Sequence, residues 1–270
     1  MKTRTLALLL ALTAFSFGAM SPTAARDIRM ATTTNTDNSG LLKAVLPKYE
    51  AKCGCKVHVV AVGTGAALIL GENGDADVVL VHARKAEDEF VAKGFGVNRR
   101  DVMYNDFILV GPKNDPAHLR GTKDVIAAMK KIKASGAAFI SRGDESGTHK
   151  MELGYWKAAG IDPKGASYFA IGQGMGQTLT VAGEKAAYTL TDRATHATYK
   201  DRTGLEILVE GDAKMFNPYG VIAVNPKRFP GVNYAGAMNF IEWITSAAGQ
   251  ADIAAFKPTG AQLFFPSYKK

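Results

Sequence analysis

Residues 141–150 read Ser-Arg-Gly-Asp-Glu-Ser-Gly-Thr-His-Lys and separate a short apolar run from an amphipathic run in which Met151, Tyr155 and Trp156 recur at helical spacing. An apolar run of this length is typical of a buried strand. We therefore expect a strand, a polar loop, and a helix whose first turn lies at residues 146–148. The first turn of a helix exposes free backbone N–H groups at the positive end of the helix dipole, so this loop predicts an oxyanion site.

The side chains of this loop suit a tetrahedral oxyanion. Arg142 brings a permanent charge and a fixed fork of N–H donors, and Ser146 and Thr148 add hydroxyl donors. Gly147 has no side chain, so its backbone can approach a ligand closely. Asp144 stands two residues from Arg142, and we expect it to orient the guanidinium by an ion pair without touching the ligand.

Two other interpretations of the loop stay open. Ser-Gly-Thr before a helix is also an ordinary N-cap, although a cap does not need the guanidinium of Arg142. A catalytic serine of the nucleophile-elbow type needs Gly-x-Ser-x-Gly, whereas two residues separate Gly143 from Ser146. A secreted serine hydrolase that uses Ser146 and one of the five histidines is therefore the less favoured hypothesis.

The first 25 residues predict a cleaved secretory signal peptide. Lys2 and Arg4 precede an apolar run from Leu6 to about Ala19, and small residues follow up to Ala25. The run is shorter than the roughly 18 to 20 residues that span a bilayer, and no later segment of the sequence is long and apolar enough to do so. We therefore expect a periplasmic protein with no membrane span after cleavage.

The composition is that of an ordinary globular protein with a basic surface. The remaining chain of about 245 residues suits one large domain or two lobes, and the sequence is 47% apolar and 21% charged. The formal charge of +8 favours anionic partners, but no zinc-ligand spacing and no Arg-rich tract points to nucleic acid. Cys53 and Cys55 favour a short-range disulfide over a metal site, since a closed zinc site needs four ligands.

Strand and helix patterns alternate along the chain, which predicts an α/β fold with mixed, mostly parallel sheets and helices on both faces. Hydroxyl-rich loops follow two of the predicted strands, at Thr32-Thr33-Thr34 and at Thr64. Ligands bind beyond the carboxyl ends of strands in such sheets, so we expect these loops to lie near the Arg142 loop. The glycines around Thr64 do not form a dinucleotide fingerprint, because Leu68 stands where the last glycine is required.

Taken together, five segments resemble those of the tungstate-binding periplasmic proteins of ABC importers. The resemblance covers nearly the whole mature chain and rests on the number and order of the loops. Asn35 departs from the family pattern, in which serine usually ends the threonine run, and its amide can still donate a hydrogen bond. The segments are residues 32–42, 62–65, 102–107, 141–149 and 187–193.

The resemblance implies a type II periplasmic binding protein with two α/β lobes and a ligand cleft between them. The first lobe would comprise residues 26–109 and 218–270, and the second residues 110–217, joined by crossing strands at 108–112 and near 218–221. The cleft would bind tungstate, and also molybdate, and deliver it to an ABC permease in the inner membrane. The implied ligand donors are Thr32, Thr33, Thr34 and Thr64 on one side of the cleft and Arg142, Ser146, Gly147 and Thr148 on the other.

The resemblance further implies a monomeric transport protein that is not an enzyme and needs no cofactor and no metal cation.

The donor set bears on the choice of anion. Phosphate carries a proton near neutral pH and needs an acceptor in its cleft, whereas tungstate, molybdate and sulfate are fully deprotonated. The expected contacts are donors, and Asp144 is assigned to Arg142, which counts against phosphate. A phosphate- or sulfate-type binder is the alternative of the same class. Tungstate is named from the resemblance alone, because tungstate and molybdate are nearly equal in size and charge.

Overall fold

The structure is a computed structural model that describes residues 26–267. The predicted signal peptide, residues 1–25, lies outside the described residues, as do residues 268–270. The described part of the chain contains no helix that is long and apolar enough to cross a membrane. The strands are β1 (Ile28–Thr33), β2 (Val57–Val62), β3 (Val78–Val81), β4 (Gly96–Gly111), β5 (Phe139–Ser141), β6 (Tyr168–Ala170), β7 (Thr189–Asp192), β8 (Glu206–Val209), β9 (Phe216–Val224) and β10 (Phe265–Pro266). The helices are α1 (Thr34–Asn38), α2 (Leu41–Cys53), α3 (Thr64–Glu72), α4 (Arg84–Ala92), α5 (Val125–Ser135), α6 (Gly147–Ala158), α7 (Met175–Glu184), α8 (Arg193–Thr203), α9 (Tyr234–Ile244) and α10 (Ala247–Ala255).

Strand β1 lies between β2 and β3 and pairs with both in parallel. Strands β2 and β3 are rich in valine, and a helix follows each of the three strands, as the alternating pattern of the sequence predicts. Parallel strands place their carboxyl ends at one edge of the sheet. Thr33, Val62 and Val81 end the strands at this edge, so the loops that follow them converge there.

Two long strands, β4 and β9, connect the two lobes. Strand β4 pairs with β9 over residues 96–106 and then with β7 and β8 over residues 107–111. The change of partner on β4 therefore lies between Asp106 and Phe107, and β9 begins at Phe216, opposite Asp106. Strands β4 and β9 run on without a break, so no turn residue marks a lobe boundary, and the crossings at 108–112 and near 218–221 stay predictions.

The sheets are mixed, as expected for this fold class. Among the named strands of residues 26–267, the parallel pairs are β1 with β2, β1 with β3, and β5 with β6. Every antiparallel pair contains β4 or β9. Antiparallel pairing thus comes from the connecting strands, and the parallel pairs form the α/β units within each lobe.

Four hydrophobic clusters fill the two lobes. Two of them contain residues from 28–103 and 219–264, and the other two contain residues from 107–215. Ala194 on α8 is the exception, because it packs in the same cluster as Ile28 although its neighbours in sequence belong to the second lobe. Helix α8 therefore packs against both lobes.

Helix α2 ends in Cys53-Gly54-Cys55. The two cysteines form a disulfide, which confirms the pairing favoured by the sequence. Gly54 has a φ of 64°, a left-handed conformation that suits glycine and ends the helix. The disulfide closes this terminal turn, so its role is structural.

Candidate functional site

The helix predicted after the Arg142 loop is α6, which begins at Gly147 with Ser146 as its N-cap. Ser146 Oγ accepts a hydrogen bond of 3.2 Å from the backbone N–H of His149. The N-cap interpretation is therefore confirmed, and it is compatible with an anion site because a cap satisfies only one of the free N–H groups. Gly143 has a φ of 60° and packs so closely on Ala170 that a Cβ would lie 2.9 Å from its methyl group.

Arg142 is the largest fully buried side chain of the site, with 1% of its surface exposed. Its Nη2 donates to Asp144 Oδ2 at 2.5 Å and to Thr34 Oγ1 at 3.0 Å, and its Nη1 donates to Asn35 Oδ1. Within residues 26–267, its buried Nε has no hydrogen-bond partner. The ion pair with Asp144 that the sequence predicts is present, and the buried Nε–H of the guanidinium is left for an acceptor.

Burial also affects the charge of this group. Removal from water lowers the pKa of Arg142, and the neighbouring carboxylates of Asp144 and Asp192 oppose this shift. The guanidinium keeps its charge at any physiological pH because its ordinary pKa is so high. The site therefore contains a buried cation, which favours an anionic ligand.

The loop after β2 meets the N-terminus of α6. The backbone N–H of Gly147 donates to Thr64 Oγ1 at 3.1 Å, and both residues are buried. A Cβ on Gly147 would lie 3.1 Å from the same oxygen, so the two segments approach closely only because Gly147 has no side chain. The structure thus brings together two loops that the sequence separates by 83 positions.

The threonine run divides among three roles. Thr34 Oγ1 contacts Arg142 at 3.0 Å, which places it in the site. Thr33 is the N-cap of α1, and its Oγ1 also lies 3.1 Å from His82 Nε2. Thr32 donates its hydroxyl proton to the carbonyl of Leu80 at 2.7 Å, inside the sheet. The hydroxyl proton of Thr32 is thus used by the neighbouring strand in this structure, and its role as a ligand donor stays a prediction.

Sequence reasoning missed how Asn35 and Asp192 take part in the site. Asn35 was noted only as a departure from the family pattern, but its side chain contacts Arg142, Thr148 and Asp192. Asn35 Nδ2 lies 2.5 Å from Asp192 Oδ2, although 157 positions separate the two residues. Both residues lie in loops that the family resemblance singled out, and no local pattern indicates that they pair.

A buried carboxyl group lies behind the loop on α6. Glu152 Oε1 accepts hydrogen bonds from Trp156 Nε1 at 3.1 Å and from the Tyr168 hydroxyl at 2.8 Å. Burial raises the pKa of Glu152 to about 7. This side chain ties α6 to β6 and supports the loop from the second lobe.

A cavity of about 460 Å³ opens beside the first turn of α6. Its wall extends from His82 and Arg84 on the first lobe to Gly147 and Lys150 on the second. The wall carries the cationic side chains of Arg84, Lys85 and Lys150 and meets the proposed site at Gly147.

The described residues contain no cluster of three or more His, Cys, Asp or Glu side chains that could hold a metal ion. The hydroxyl of Ser146 is engaged as a helix cap, and the ring Nδ1 of the nearby His149 accepts from the backbone N–H of Glu145 at 3.1 Å. His149 is therefore not placed as the imidazole base that a nucleophilic serine needs.

Comparison with known proteins agrees with this geometry. A family model described as a PBP superfamily domain matches residues 19–248. The tungstate-binding protein TupA of Peptoclostridium acidaminophilum is 50% identical over 247 residues, which cover 90% of this chain and 86% of that protein. A solved structure of the tungstate ABC transporter from Geobacter sulfurreducens is 56% identical, with a TM-score of 0.79, and the match covers 86% of this chain and 98% of that chain. A solved structure of the tungstate-binding protein TupA from Desulfovibrio alaskensis is 47% identical, with a TM-score of 0.75, and the match covers 91% of this chain and 100% of that chain.

Proposed function

The chain belongs to the PBP superfamily, and from this premise we propose that it is the periplasmic substrate-binding component of an ABC importer that captures tungstate. The relatives that share about half of its residues are named as tungstate-binding or tungstate transport proteins. We propose the cleft between the two lobes as the binding site. Its first lobe would comprise residues 26–109 and 218–270, and its second residues 110–217.

The observation that carries the proposal is the guanidinium of Arg142. Only 1% of the surface of Arg142 is exposed, and its Nε lacks a hydrogen-bond partner among the described residues. A buried N–H without an acceptor costs roughly 1 to 3 kcal/mol, and an oxyanion oxygen would remove that cost. A tetrahedral dianion that contacts this N–H would also neutralise the buried charge.

The proposal completes the site with donors from both lobes. In the proposed set, Thr33, Thr34 and Thr64 come from the first lobe, Ser146 and Thr148 come from the N-cap and first turn of α6, and Gly147 contributes its close backbone approach, since its N–H donates to Thr64 Oγ1 in this structure. A hydroxyl that accepts a bond as a cap still has its own proton to donate, so Ser146 remains in the proposed donor set. The ligand would stabilise the closed arrangement because only closure brings both groups of donors to it.

The acceptors near the site favour a fully deprotonated anion. The carboxylate of Asp144 is occupied by Arg142 and by the backbone N–H of Ser146 at 3.2 Å. Both oxygens of Asp192 already accept hydrogen bonds from Asn35 and Thr195. The O–H of hydrogen phosphate needs an acceptor, and these carboxylates already accept hydrogen bonds from the protein. Tungstate and molybdate carry no proton and need no acceptor. The closed protein would then dock on a permease in the inner membrane as a monomer and release the anion without a chemical step.

The test is titration calorimetry of the purified mature protein with tungstate, molybdate, sulfate and phosphate, in a buffer that contains none of them. We expect one tungstate per chain, with molybdate competing and with sulfate and phosphate giving no saturable heat. Tight binding of phosphate or sulfate would keep the fold and refute the assignment of the ligand. Absence of heat from all four anions would refute the proposed function.

A further inference from the structure

A continuous chain of buried polar side chains runs from the anion site to the two crossing strands. Each member is nine-tenths or more buried. Hydrogen bonds connect every neighbouring pair, and the chain passes from Arg142 to Asn35 on α1, on to Asp192 at the end of β7, and then to both β4 and β9. In order, its members are Arg142, Asn35, Asp192, Asn105, Asn217 and His82.

Asp192 is the only member of this chain that carries a carboxylate. It ends β7 and caps α8, and its Oδ1 accepts from the backbone N–H of Thr195 at 2.8 Å and from Asn105 Nδ2 at 3.4 Å. Its Oδ2 accepts from Thr195 Oγ1 at 2.7 Å and from Asn35 Nδ2 at 2.5 Å. All four contacts are donors, so Asp192 acts purely as an acceptor.

This one-sided chemistry determines how Asn35 is oriented. An amide has a donor end and an acceptor end, and Asp192 attracts the donor end. The carbonyl oxygen of Asn35 is therefore turned to the opposite side, where it accepts from Arg142 Nη1. The carboxylate of Asp192 thus turns the carbonyl oxygen of Asn35 toward the guanidinium, although no hydrogen bond joins Asp192 to Arg142 directly.

The other arm of the chain anchors Asp192 to the crossing strands. Asn105 on β4 faces Asn217 on β9 in register, and Asn217 Nδ2 donates to Asn105 Oδ1 at 2.7 Å. Asn217 Oδ1 lies 2.9 Å from His82 Nδ1. Burial lowers the pKa of His82 to about 4, so the ring is neutral and its single N–H lies on Nδ1, where it donates to Asn217. The position of Asp192 is consequently fixed by both connections between the lobes.

We propose that Asp192 is a positioning residue for the anion: through Asn35 it fixes the guanidinium of Arg142 in the orientation that leaves Nε free for the ligand. This inference rests on the proposed function. It runs against simple electrostatics, because a negative charge buried near the site repels a dianion. Removing that charge would strengthen binding if charge alone mattered, whereas it weakens binding if the orientation of Arg142 matters more.

Asp192→Asn separates the two effects. The backbone N–H of Thr195 holds the oxygen of the new amide at the Oδ1 position, so its NH2 group faces the NH2 group of Asn35. The amide of Asn35 must then turn over and present donors to Arg142. We expect tungstate affinity to fall by about 10- to 100-fold, the usual cost of disrupting a buried hydrogen bond to a charged group.

Two further variants test whether Asp192 acts through Asn35. Asn35→Leu removes the link while keeping the size of the side chain, and Asp192→Asn should have no additional effect in that background. A merely structural role of Asp192 would add its own loss of affinity. The exchanged pair Asn35→Asp with Asp192→Asn restores a carboxylate between the amide and Arg142, so it should bind tungstate more tightly than either single variant.

All variants are compared with the wild-type mature protein by tungstate calorimetry, with thermal unfolding as the check of folding. The control is Asp162→Asn, the same change at an exposed second-lobe carboxylate that pairs with Lys164, away from the cavity and the chain; it should bind tungstate with wild-type affinity. Wild-type or tighter binding by Asp192→Asn overturns the inference, as does an exchanged pair that binds no better than the single variants. If Asp192→Asn does not fold, wild-type affinity in Asn35→Leu overturns it. If the wild-type protein binds no tungstate, the proposed function fails first and this inference falls with it.

Discussion

Replacing Arg142 with serine removes the charge on which the proposed anion site depends. In the structure, the guanidinium is 1% exposed and contacts Asp144, Thr34 and Asn35. Serine reaches none of these partners, because it is several bonds shorter. The variant therefore lacks the ligand-facing Nε and leaves Asp144 without its cation.

The expected loss follows from these contacts. A buried, charged hydrogen-bonding partner is worth about 2 to 5 kcal/mol of binding free energy when it is truncated. This corresponds to a loss of affinity of about 30- to 4,000-fold. The upper part of the range is favoured, because the carboxylate of Asp144 would then repel a dianion instead of holding the guanidinium.

The assay is tungstate calorimetry of Arg142→Ser beside the wild-type protein. Arg120→Ser is the matched control: Arg120 is an exposed second-lobe arginine whose side chain is 55% exposed and pairs with Glu206, so its loss should leave affinity unchanged. Arg142→Lys should also lose at least about tenfold, because a point charge cannot copy the planar fork.

The reasoning would be refuted by a folded Arg142→Ser variant that binds tungstate within about threefold of the wild-type affinity, a difference too small for the loss of a buried charge. Equal losses in Arg142→Ser and Arg120→Ser would also refute it, since they would point to long-range charge and not to the site.

Three more predictions concern α6 and the segments around it. Ser146→Ala should lower the free energy of unfolding, measured with urea, by about 1 kcal/mol because the N-cap is lost. Neither this variant nor the wild-type protein should hydrolyse a nitrophenyl ester. Hydrolysis by the wild-type protein that the variant loses would favour the enzyme hypothesis. Gly147→Val should weaken tungstate binding by roughly tenfold in calorimetry, because its Cβ would lie 3.1 Å from Thr64 Oγ1; unchanged affinity would remove this contact from the closed site. Burial raises the pKa of Glu152 from 4.5 to about 7, so the folded protein retains a proton that the unfolded chain releases; this stability is present below about pH 4.5 and is lost as the pH rises toward 7. Glu152→Gln should therefore gain stability relative to the wild-type protein between pH 5 and pH 8, on the order of 3 kcal/mol in unfolding experiments, and a constant difference across that range would contradict the assignment.

The strand, loop and helix around Arg142 were predictable from sequence because each depends on a few neighbouring residues. Apolar periodicity identifies β5 and α6, and Ser146 followed by Gly147 marks the start of the helix. The ion pair of Arg142 with Asp144 spans two positions, which a loop of this kind brings together without help from the rest of the chain.

Contacts between distant segments behave differently, because their partners depend on strand order and on how the two lobes close. The pairing of Asn35 with Asp192 and the use of the Thr32 hydroxyl by Leu80 have no signature in either local sequence. A threonine run looks the same whether its hydroxyls face a neighbouring strand or a ligand. Its outcome is decided only when β3 takes its place beside β1.

By itself, the sequence determined the alternation of strands and helices, the strand, loop and helix around Arg142 and the ion pair of Arg142 with Asp144, since these follow from periodicity, capping and charge within short windows. The tertiary structure alone decided which donors surround Arg142 and which buried carboxylate orients it. The physical reason is that a hydrogen bond requires its two atoms to lie within about 3 Å, and for residues as far apart in the chain as Asn35 and Asp192 only the packing of both lobes on β4 and β9 achieves that distance.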